Sequence, residues 1–174
     1  MTAKKKNKPI LVPVDFSSSS EAALVSAAEL AEKLVSDLVI LHIVHDLNEA
    51  PGYYSVKGRG KQMRRMEDVA AEMLDEFVQK MQKKYSDFTA ISRATTMLVV
   101  GLPVNRILES AGKINARMIV MGSQGRTGLA RAMLGSKAEQ VVRLAPIPVM
   151  IVKEENEKKK EKEKEKKSLS LIHI

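Results

Sequence analysis

The stretch ARMIVMGSQGRTGLARAMLGSKAEQVVRLA, residues 116–145, decides the fold class of this chain. It begins with a short apolar run typical of a buried strand, passes through a glycine-containing loop and ends with helical spacing. Between Gly122 and Ser136 the loop has 13 residues, whereas ~2–6 residues are usual between a strand and the following helix. This length indicates that the loop does more than link two elements.

The rest of the chain alternates short apolar runs with segments of helical spacing. Apolar runs predict five strands, at 9–14, 38–44, 88–100, 116–121 and 148–152. Helical spacing predicts four helices, at 18–37, 62–84, 103–114 and 136–145. Parallel strands need crossover connections, and right-handed crossovers place helices on both faces of a sheet. The sequence therefore predicts an α/β fold, a single doubly wound domain with a five-stranded parallel sheet and helices on both faces.

Three of the predicted helices carry start signals. Ser18-x-x-Glu21 and Ser136-x-x-Glu139 have the spacing of capping boxes, and Pro103 lies at a first helical turn. The second helix has an apolar stripe that we interpret as a core face and not as a cofactor site. Its members are Met66, Val69, Met73, Phe77 and Met81.

The distribution of charge divides the chain into three parts. The formal net charge is +8, but residues 1–8 carry four lysines and no acid, and residues 153–167 carry eight lysines against six glutamates. We expect a basic arm at 1–8, an α/β domain at 9–153 and a charged low-complexity tail at 154–174. Because the body of the chain is nearly neutral, we expect no nucleic-acid partner.

The composition excludes several further classes of function. The chain has no cysteine, which rules out disulfides, iron–sulfur clusters and thiol catalysis. Three Phe, three Tyr and no Trp argue against a base-stacking surface. The apolar run at 9–14 is shorter than a signal-peptide core, and nothing approaches the ~18 apolar residues of a membrane span. We therefore expect a cytoplasmic protein with no membrane partner.

Polar residues or glycine follow three of the predicted strands. Asp15 follows the first strand, His45 follows the second and Gly122 follows the fourth. Open α/β sheets bind ligands outside the carboxyl ends of their strands, where the strand order reverses. If the first and fourth strands are neighbours, Asp15 and Gly122 face one crevice. Asp15 has an alternative role as a helix-capping acid, and we interpret His42, inside an apolar strand, as a hydrogen-bonded core histidine.

The glycine loop has the chemistry of a phosphate site. Glycine allows backbone N–H groups to approach an anion, and the start of a helix presents N–H groups that have no partner in the helix. Gly135 and Ser136 therefore predict a phosphate contact. The alternative is a glycine-rich turn in which Ser136 is an ordinary N-cap. The spacing matches neither a P-loop nor a Gly-x-Gly-x-x-Gly dinucleotide fingerprint.

The stretch GSQGRTGLARAMLGS, 122–136, resembles the Gly-x2-Gly-x9-Gly-Ser/Thr motif of the ATP-binding branch of the universal stress protein family. The resemblance covers about residues 8–153 and includes ILVPVDFS at 10–17 and LHIV at 41–44. It implies a five-stranded parallel sheet of order 3-2-1-4-5 that binds ATP or AMP, with Mg2+ held by the phosphates and water. It also implies a homodimer, which we expect to form through the edge strand 148–152.

The resemblance also assigns individual residues to parts of the nucleotide. Lys137 departs from many relatives, which have an apolar residue there, and it either adds a phosphate contact or points to solvent. Arg126 and Arg131 are phosphate-contact candidates, although a solvated face explains them equally well. The implied ATP-binding residues are Pro13 and the Val44 backbone for adenine, Asp15 and Gly122 for ribose, Gly125, Gly135, Ser136 and the Lys137 amide for the phosphates, and Met121 beside them.

Three functions remain open at this point. The first is an ATP-binding module that acts in a nucleotide-dependent stress response or in signalling, with a downstream protein partner. The second is a slow Mg-dependent ATPase, for which the sequence offers no evident catalytic base. The third is a structural dimer without nucleotide, which leaves the complete glycine motif unexplained. We favour the binding module and assign neither catalytic residues nor protein ligands for a metal.

Overall fold

The computed structural model describes residues 7–45, 66–124 and 134–154. These residues form five strands and five helices. The strands are β1 (Ile10–Val14), β2 (Leu38–Val44), β3 (Thr95–Val100), β4 (Met118–Gly122) and β5 (Val149–Val152). The helices are α1 (Ser18–Leu34), α2 (Met66–Lys84), α3 (Thr89–Ser92), α4 (Pro103–Lys113) and α5 (Ser136–Leu144).

The five strands make one parallel sheet in the order β3-β2-β1-β4-β5. This confirms the predicted fold class and the strand order that the family resemblance implied. β1 lies between β2 and β4, with Val14 opposite His42 on one side and Ile10 opposite Met118 on the other. The strand order reverses between β1 and β4, so their carboxyl ends border the crevice where such sheets bind ligands.

Two apolar clusters fill the spaces above and below the sheet. Along β1, Ile10, Val12 and Val14 face the cluster that includes α1, α2 and α3. Leu11 faces the cluster formed with α4 and α5. Every residue of β1 and β2 is buried, as expected for parallel strands covered on both faces.

The predicted strand at 88–100 is wrong in its first half. Thr89–Ser92 forms the short helix α3, and the strand begins only at Thr95. The Glu32 carboxylate on α1 accepts hydrogen bonds from the Thr89 hydroxyl at 3.2 Å and the Ala90 N–H at 3.3 Å. Since Glu32 satisfies donors at the start of α3, a contact far along the chain favours a helical turn over continued strand.

Both predicted capping boxes begin one residue too late. Ser17 is the N-cap of α1, and its side chain accepts from the Ser20 N–H, which places Ser18 inside the helix. Gly135 is the N-cap of α5 and makes no side-chain cap bond, so Ser136 is not the N-cap. The prediction for Pro103 is confirmed, because it lies in the first turn of α4.

The second predicted helix is found from Met66 onward, and residues 62–65 lie outside the described residues. In its stripe Val69, Phe77 and Met81 are buried in the protein interior. In residues 7–45, 66–124 and 134–154, no helix is both long enough and apolar enough to cross a bilayer.

Candidate functional site at the carboxyl ends of β1 and β4

A tight turn joins β1 to α1 and contains Asp15. Phe16 has a φ of 65°, a left-handed conformation that is uncommon for a non-glycine residue. Its ring lies 4.3 Å from the His42 ring and 5.5 Å from the Phe77 ring, between centroids. Such aromatic contacts offset the cost of the unfavourable backbone conformation. The turn therefore holds Asp15 at the carboxyl end of β1.

The Asp15 carboxylate is bound to the start of α1. Its Oδ1 accepts hydrogen bonds from the Ser17 N–H at 3.1 Å and the Ser17 hydroxyl at 2.5 Å. The Ser17 oxygen in turn accepts from the Ser20 N–H at 3.2 Å. Ser17 thus makes the direct cap, and Asp15 supports it.

His42 is a core histidine, as the sequence indicated. Its side chain is 1% exposed, and Nδ1 lies 2.8 Å from the Val14 carbonyl oxygen. Since a carbonyl only accepts, Nδ1 carries the proton and donates it. This bond fixes the last residue of β1 before Asp15. His45 follows β2 and is half-buried at the same edge of the sheet.

Pro13 and Val44, the residues assigned to adenine, are both buried near the carboxyl ends of their strands. Pro13 lies opposite Leu41 in the sheet. The Val44 carbonyl accepts a hydrogen bond from the Gly101 N–H at 3.0 Å. The backbone of Val44 is therefore connected to the turn between β3 and α4.

Gly122 is the last residue of β4 and lies directly against α1. A Cβ at this position would be 2.8 Å from the Ser19 carbonyl oxygen and 2.9 Å from its carbonyl carbon. Real Cβ atoms do not approach backbone so closely, so only glycine fits without a shift of the helix. Met121 is buried in the cluster under α4 and α5, which makes its side chain part of the core. Nothing in the local sequence around Gly122 indicates this packing role.

The two ends of the glycine loop are joined to each other. The Gly135 N–H donates to the Ser123 carbonyl at 2.8 Å, and the Ser123 N–H donates to the Val152 carbonyl at 2.8 Å. These bonds bring the start of α5 to the carboxyl end of β4. The predicted phosphate residue Gly125 and the candidates Arg126 and Arg131 lie outside the described residues.

The start of α5 offers backbone donors at this edge. Its first intrahelical bond runs from the Glu139 N–H to the Gly135 carbonyl at 2.9 Å. The N–H groups of Ser136 and Lys137 therefore precede the hydrogen-bonded ladder and have no partner within the helix. Both residues are exposed. Gly135 already donates its own N–H to Ser123, so the amides of Ser136 and Lys137 are the donors best suited to an anion.

Two helix N-termini meet around the end of β4. Gly122 packs on Ser19 of α1, and the Gln124 N–H points to the Ser19 hydroxyl oxygen at 3.4 Å. The start of α5 approaches the same strand end through Gly135. The N-terminus of each helix carries the positive end of its dipole. The arrangement favours an anionic ligand, and in the described segments no group of three or more His, Cys, Asp or Glu side chains could hold a metal ion.

A charged cluster fixes α1 against α2 behind the site. Glu21, in the first turn of α1, forms ion pairs with Lys80 at 3.1 Å and with Lys84. Burial alone raises the pKa of the Glu21 carboxyl, but hydrogen bonds from Lys84 and Lys80 outweigh it and hold the pKa below its ordinary value. The bond to Glu21, with a smaller contribution from Tyr85, raises the pKa of Lys84 to about 12. This cluster stabilises the helix that carries Ser17 and Ser19.

Sequence and structure comparisons agree with this architecture. Residues 6–153 match the pattern of the universal stress protein family. Universal stress protein MJ0531 of Methanocaldococcus jannaschii is 33% identical over 150 residues, which cover 84% of this chain and 82% of that protein. The solved structure of MJ0577, a universal stress protein of the same organism, has a TM-score of 0.62 at 25% identity. The structural similarity covers 87% of this chain and 99% of the MJ0577 chain.

A further similar structure contains a nucleotide. It is the universal stress protein from Archaeoglobus fulgidus in complex with dAMP, with a TM-score of 0.57 at 26% identity. The similarity covers 84% of this chain and 98% of that one.

Proposed function

The chain belongs to the universal stress protein family, and from that premise we propose that it is an adenine-nucleotide-binding module. In this proposal ATP or AMP binds at the carboxyl ends of β1 and β4, and its binding acts in a nucleotide-dependent stress response or in signalling. The Archaeoglobus relative in complex with dAMP supports the choice of an adenine nucleotide.

One observation carries the proposal. The hydrogen bond between the Gly135 N–H and the Ser123 carbonyl joins the start of α5 to the end of β4. Exposed amides at a helix start thereby adjoin the strand whose neighbour, β1, leads into Asp15. A nucleotide needs anion donors for phosphate and an acceptor for ribose hydroxyls, and these two groups provide both.

The parts of the nucleotide follow from this placement. We propose that the Ser136 and Lys137 amides bind phosphate oxygens, together with Gly125 and Gly135. Asp15 accepts hydrogen bonds from the ribose hydroxyls, and its bonds to Ser17 orient it for this role. Pro13 and the Val44 backbone border the adenine. Gly122 borders the ribose, and Met121 precedes it at the end of β4. Mg2+ is held by phosphates and water.

We also propose a homodimer of the α/β domain 9–153 through β5. β5 is an edge strand of the sheet and pairs with β4 on one side. All four of its residues are half-buried in the single chain. An apolar edge of this kind favours pairing with a second copy about a two-fold axis.

Mass spectrometry of nucleotide released by denaturing the freshly purified protein tests the proposed function. Bound ATP or AMP, at up to one molecule per chain, is the expected result. Bound ADP without ATP indicates hydrolysis and favours the ATPase alternative. If no nucleotide is released and none binds on addition of ATP, the binding module is contradicted and the structural dimer is favoured.

A further inference from the structure

The turn between β3 and α4 is built around Gly101. Gly101 has a φ of 137°, a backbone conformation that side chains rarely adopt. Its N–H donates to the Val44 carbonyl at the end of β2, at 3.0 Å. The turn and the end of β2 are thus one hydrogen-bonded unit.

Arg106 closes over this turn from the first part of α4. Its Nε donates to the Val100 carbonyl at 2.8 Å. A Cβ at Gly101 would lie 2.7 Å from that Nε, so the guanidinium occupies the space next to the glycine backbone. The other end of the guanidinium pairs with Glu109 at 2.7 Å. Because the guanidinium is planar and bound at both ends, it fixes the carbonyl before Gly101 and the position of the Gly101 N–H.

Resting on the proposed adenine contact at the Val44 backbone, we propose that Arg106 is a positioning residue for purine selectivity. It does not touch the base. It holds the Val100–Gly101 backbone, Gly101 holds the Val44 carbonyl, and Val44 borders the base. The chain of contacts runs through two hydrogen bonds, of 2.8 Å and 3.0 Å.

The physical reason lies in how a backbone edge distinguishes purines. Adenine presents an amino group at position 6, a donor, where guanine presents a carbonyl, an acceptor. A fixed backbone rejects the wrong pattern because the mismatched base leaves polar groups unpaired. A strand end that is free to shift can accommodate either base. Loss of Arg106 should therefore reduce selectivity and leave phosphate binding unchanged.

Arg106→Lys is the informative variant, with Arg106→Ala as its companion. Lysine keeps the positive charge and the aliphatic stem but lacks the Nε fork that bonds Val100. Arg93→Lys is the matched control, since Arg93 is exposed and precedes β3 at the opposite edge of the sheet. Calorimetry gives the affinities of the full chain for ATP, GTP and tripolyphosphate.

We expect the ATP-to-GTP affinity ratio to fall about tenfold in Arg106→Lys, which corresponds to 1.4 kcal/mol. Tripolyphosphate affinity stays at the wild-type value, and Arg93→Lys keeps the wild-type ratio. An unchanged ratio in both folded Arg106 variants, with ATP still bound by the wild type, overturns the positioning role alone. A wild type that binds no ATP overturns the proposed function as well.

Hydrogen exchange gives a second readout that needs no nucleotide. The Gly101 amide should lose protection in Arg106→Lys and Arg106→Ala and keep it in Arg93→Lys. Wild-type protection of Gly101 in the Arg106 variants would show that Arg106 does not fix the Val100–Gly101 backbone, whatever the nucleotide affinities.

Discussion

The Gly135 N–H donates to the Ser123 carbonyl at 2.8 Å and holds the start of α5 against the end of β4. Both ends of the glycine loop therefore lie at the carboxyl end of β4. Gly135 itself has φ −63° and ψ 144°, a conformation open to any residue. We therefore expect that glycine is needed at position 135 to let a ligand approach the backbone closely, and not to relieve backbone strain.

Gly135→Val tests that approach. A valine side chain beside the Ser136 and Lys137 amides blocks close contact with phosphate, so ATP affinity should fall by ~1–3 kcal/mol, the scale of lost buried hydrogen bonds. We expect the same loss for Gly125→Val. Calorimetry on the folded variants measures it, with Gly112→Ala on α4 as control, since a Cβ at Gly112 meets nothing within 4 Å. Wild-type affinity in both valine variants would remove the phosphate assignment.

Asp15 and Ser17 separate ligand binding from helix capping. Asp15→Ala should weaken ATP by ~1.5–3 kcal/mol, the scale of hydrogen bonds to a charged group, and should weaken tripolyphosphate much less. Ser17→Ala removes the bond to the Ser20 N–H and should cost ~1 kcal/mol of stability as a lost cap. Calorimetry and urea unfolding measure the two effects. Equal losses of ATP and tripolyphosphate in Asp15→Ala would assign Asp15 to the cap alone.

Gly122→Ala should destabilise the fold. Its Cβ would meet the Ser19 backbone at 2.8 Å, and backbone shifts of this kind cost ~1–3 kcal/mol. Urea unfolding gives the difference in free energy. The control Gly112→Ala changes the same residue type in an open helical position and should gain up to ~1 kcal/mol. A Gly122→Ala variant as stable as the wild type would show that α1 can shift away from β4 at no cost. That result would contradict the tight packing of Gly122 on Ser19.

The Glu21 cluster predicts a defined dependence of stability on pH. Because the folded pKa of Glu21 is lowered, its contribution is present above the unfolded value of ~4.3 and is lost as pH falls through the folded value. Because the folded pKa of Lys84 is raised to about 12, that contribution is present below its unfolded value of ~10.4 and is lost as pH rises through the folded value.

Glu21→Gln tests this dependence. The stability difference from the wild type should be larger at neutral pH than near ~pH 3, where carboxylates protonate. Urea unfolding at both values measures it, and Glu29→Gln, on the exposed side of the same helix, should show no such change. A constant difference at both pH values would mean that the ion pairs contribute nothing to stability.

Two substitutions in β5 test the dimer. Met150 packs toward α1 and Ile151 toward α4 and α5, so lysine at each position probes opposite faces of the strand. We expect Met150→Lys or Ile151→Lys to give a folded monomer by light scattering and circular dichroism. A wild type that is already monomeric at micromolar concentration contradicts the dimer.

The sheet could be predicted because its strands are covered on both faces. β1 appears in the sequence as an unbroken apolar run and β2 as an apolar run interrupted only by His42, and all residues of both strands are buried. α3 could not be predicted, because the Glu32 carboxylate that caps it lies on α1. A contact between segments that are far apart along the chain does not change the local spacing of apolar residues from which helices and strands are predicted.

The positions of the candidate site residues, but not all of their contacts, could be predicted from the sequence. Strand ends marked Asp15 and Gly122, and β1 and β4 are neighbours as the crevice requires. The sequence did not indicate that Gly122 packs on Ser19 or that Asp15 supports Ser17, since both depend on how α1 approaches the sheet. For the β3–α4 turn, the signal available was Gly101 two residues before Pro103, a typical break before a helix start.

An ATP titration of the isotope-labelled full chain, followed by the chemical shifts of its backbone amides, tests directly whether a nucleotide binds between β1 and β4. We expect shifts at the carboxyl ends of the strands, at Asp15, Gly122, Ser136 and Lys137. The amides at the opposite edge, such as Lys8, Asp37 and Thr95, should stay unchanged. Shifts confined to that opposite edge, or none at saturating ATP, would contradict a nucleotide site between β1 and β4.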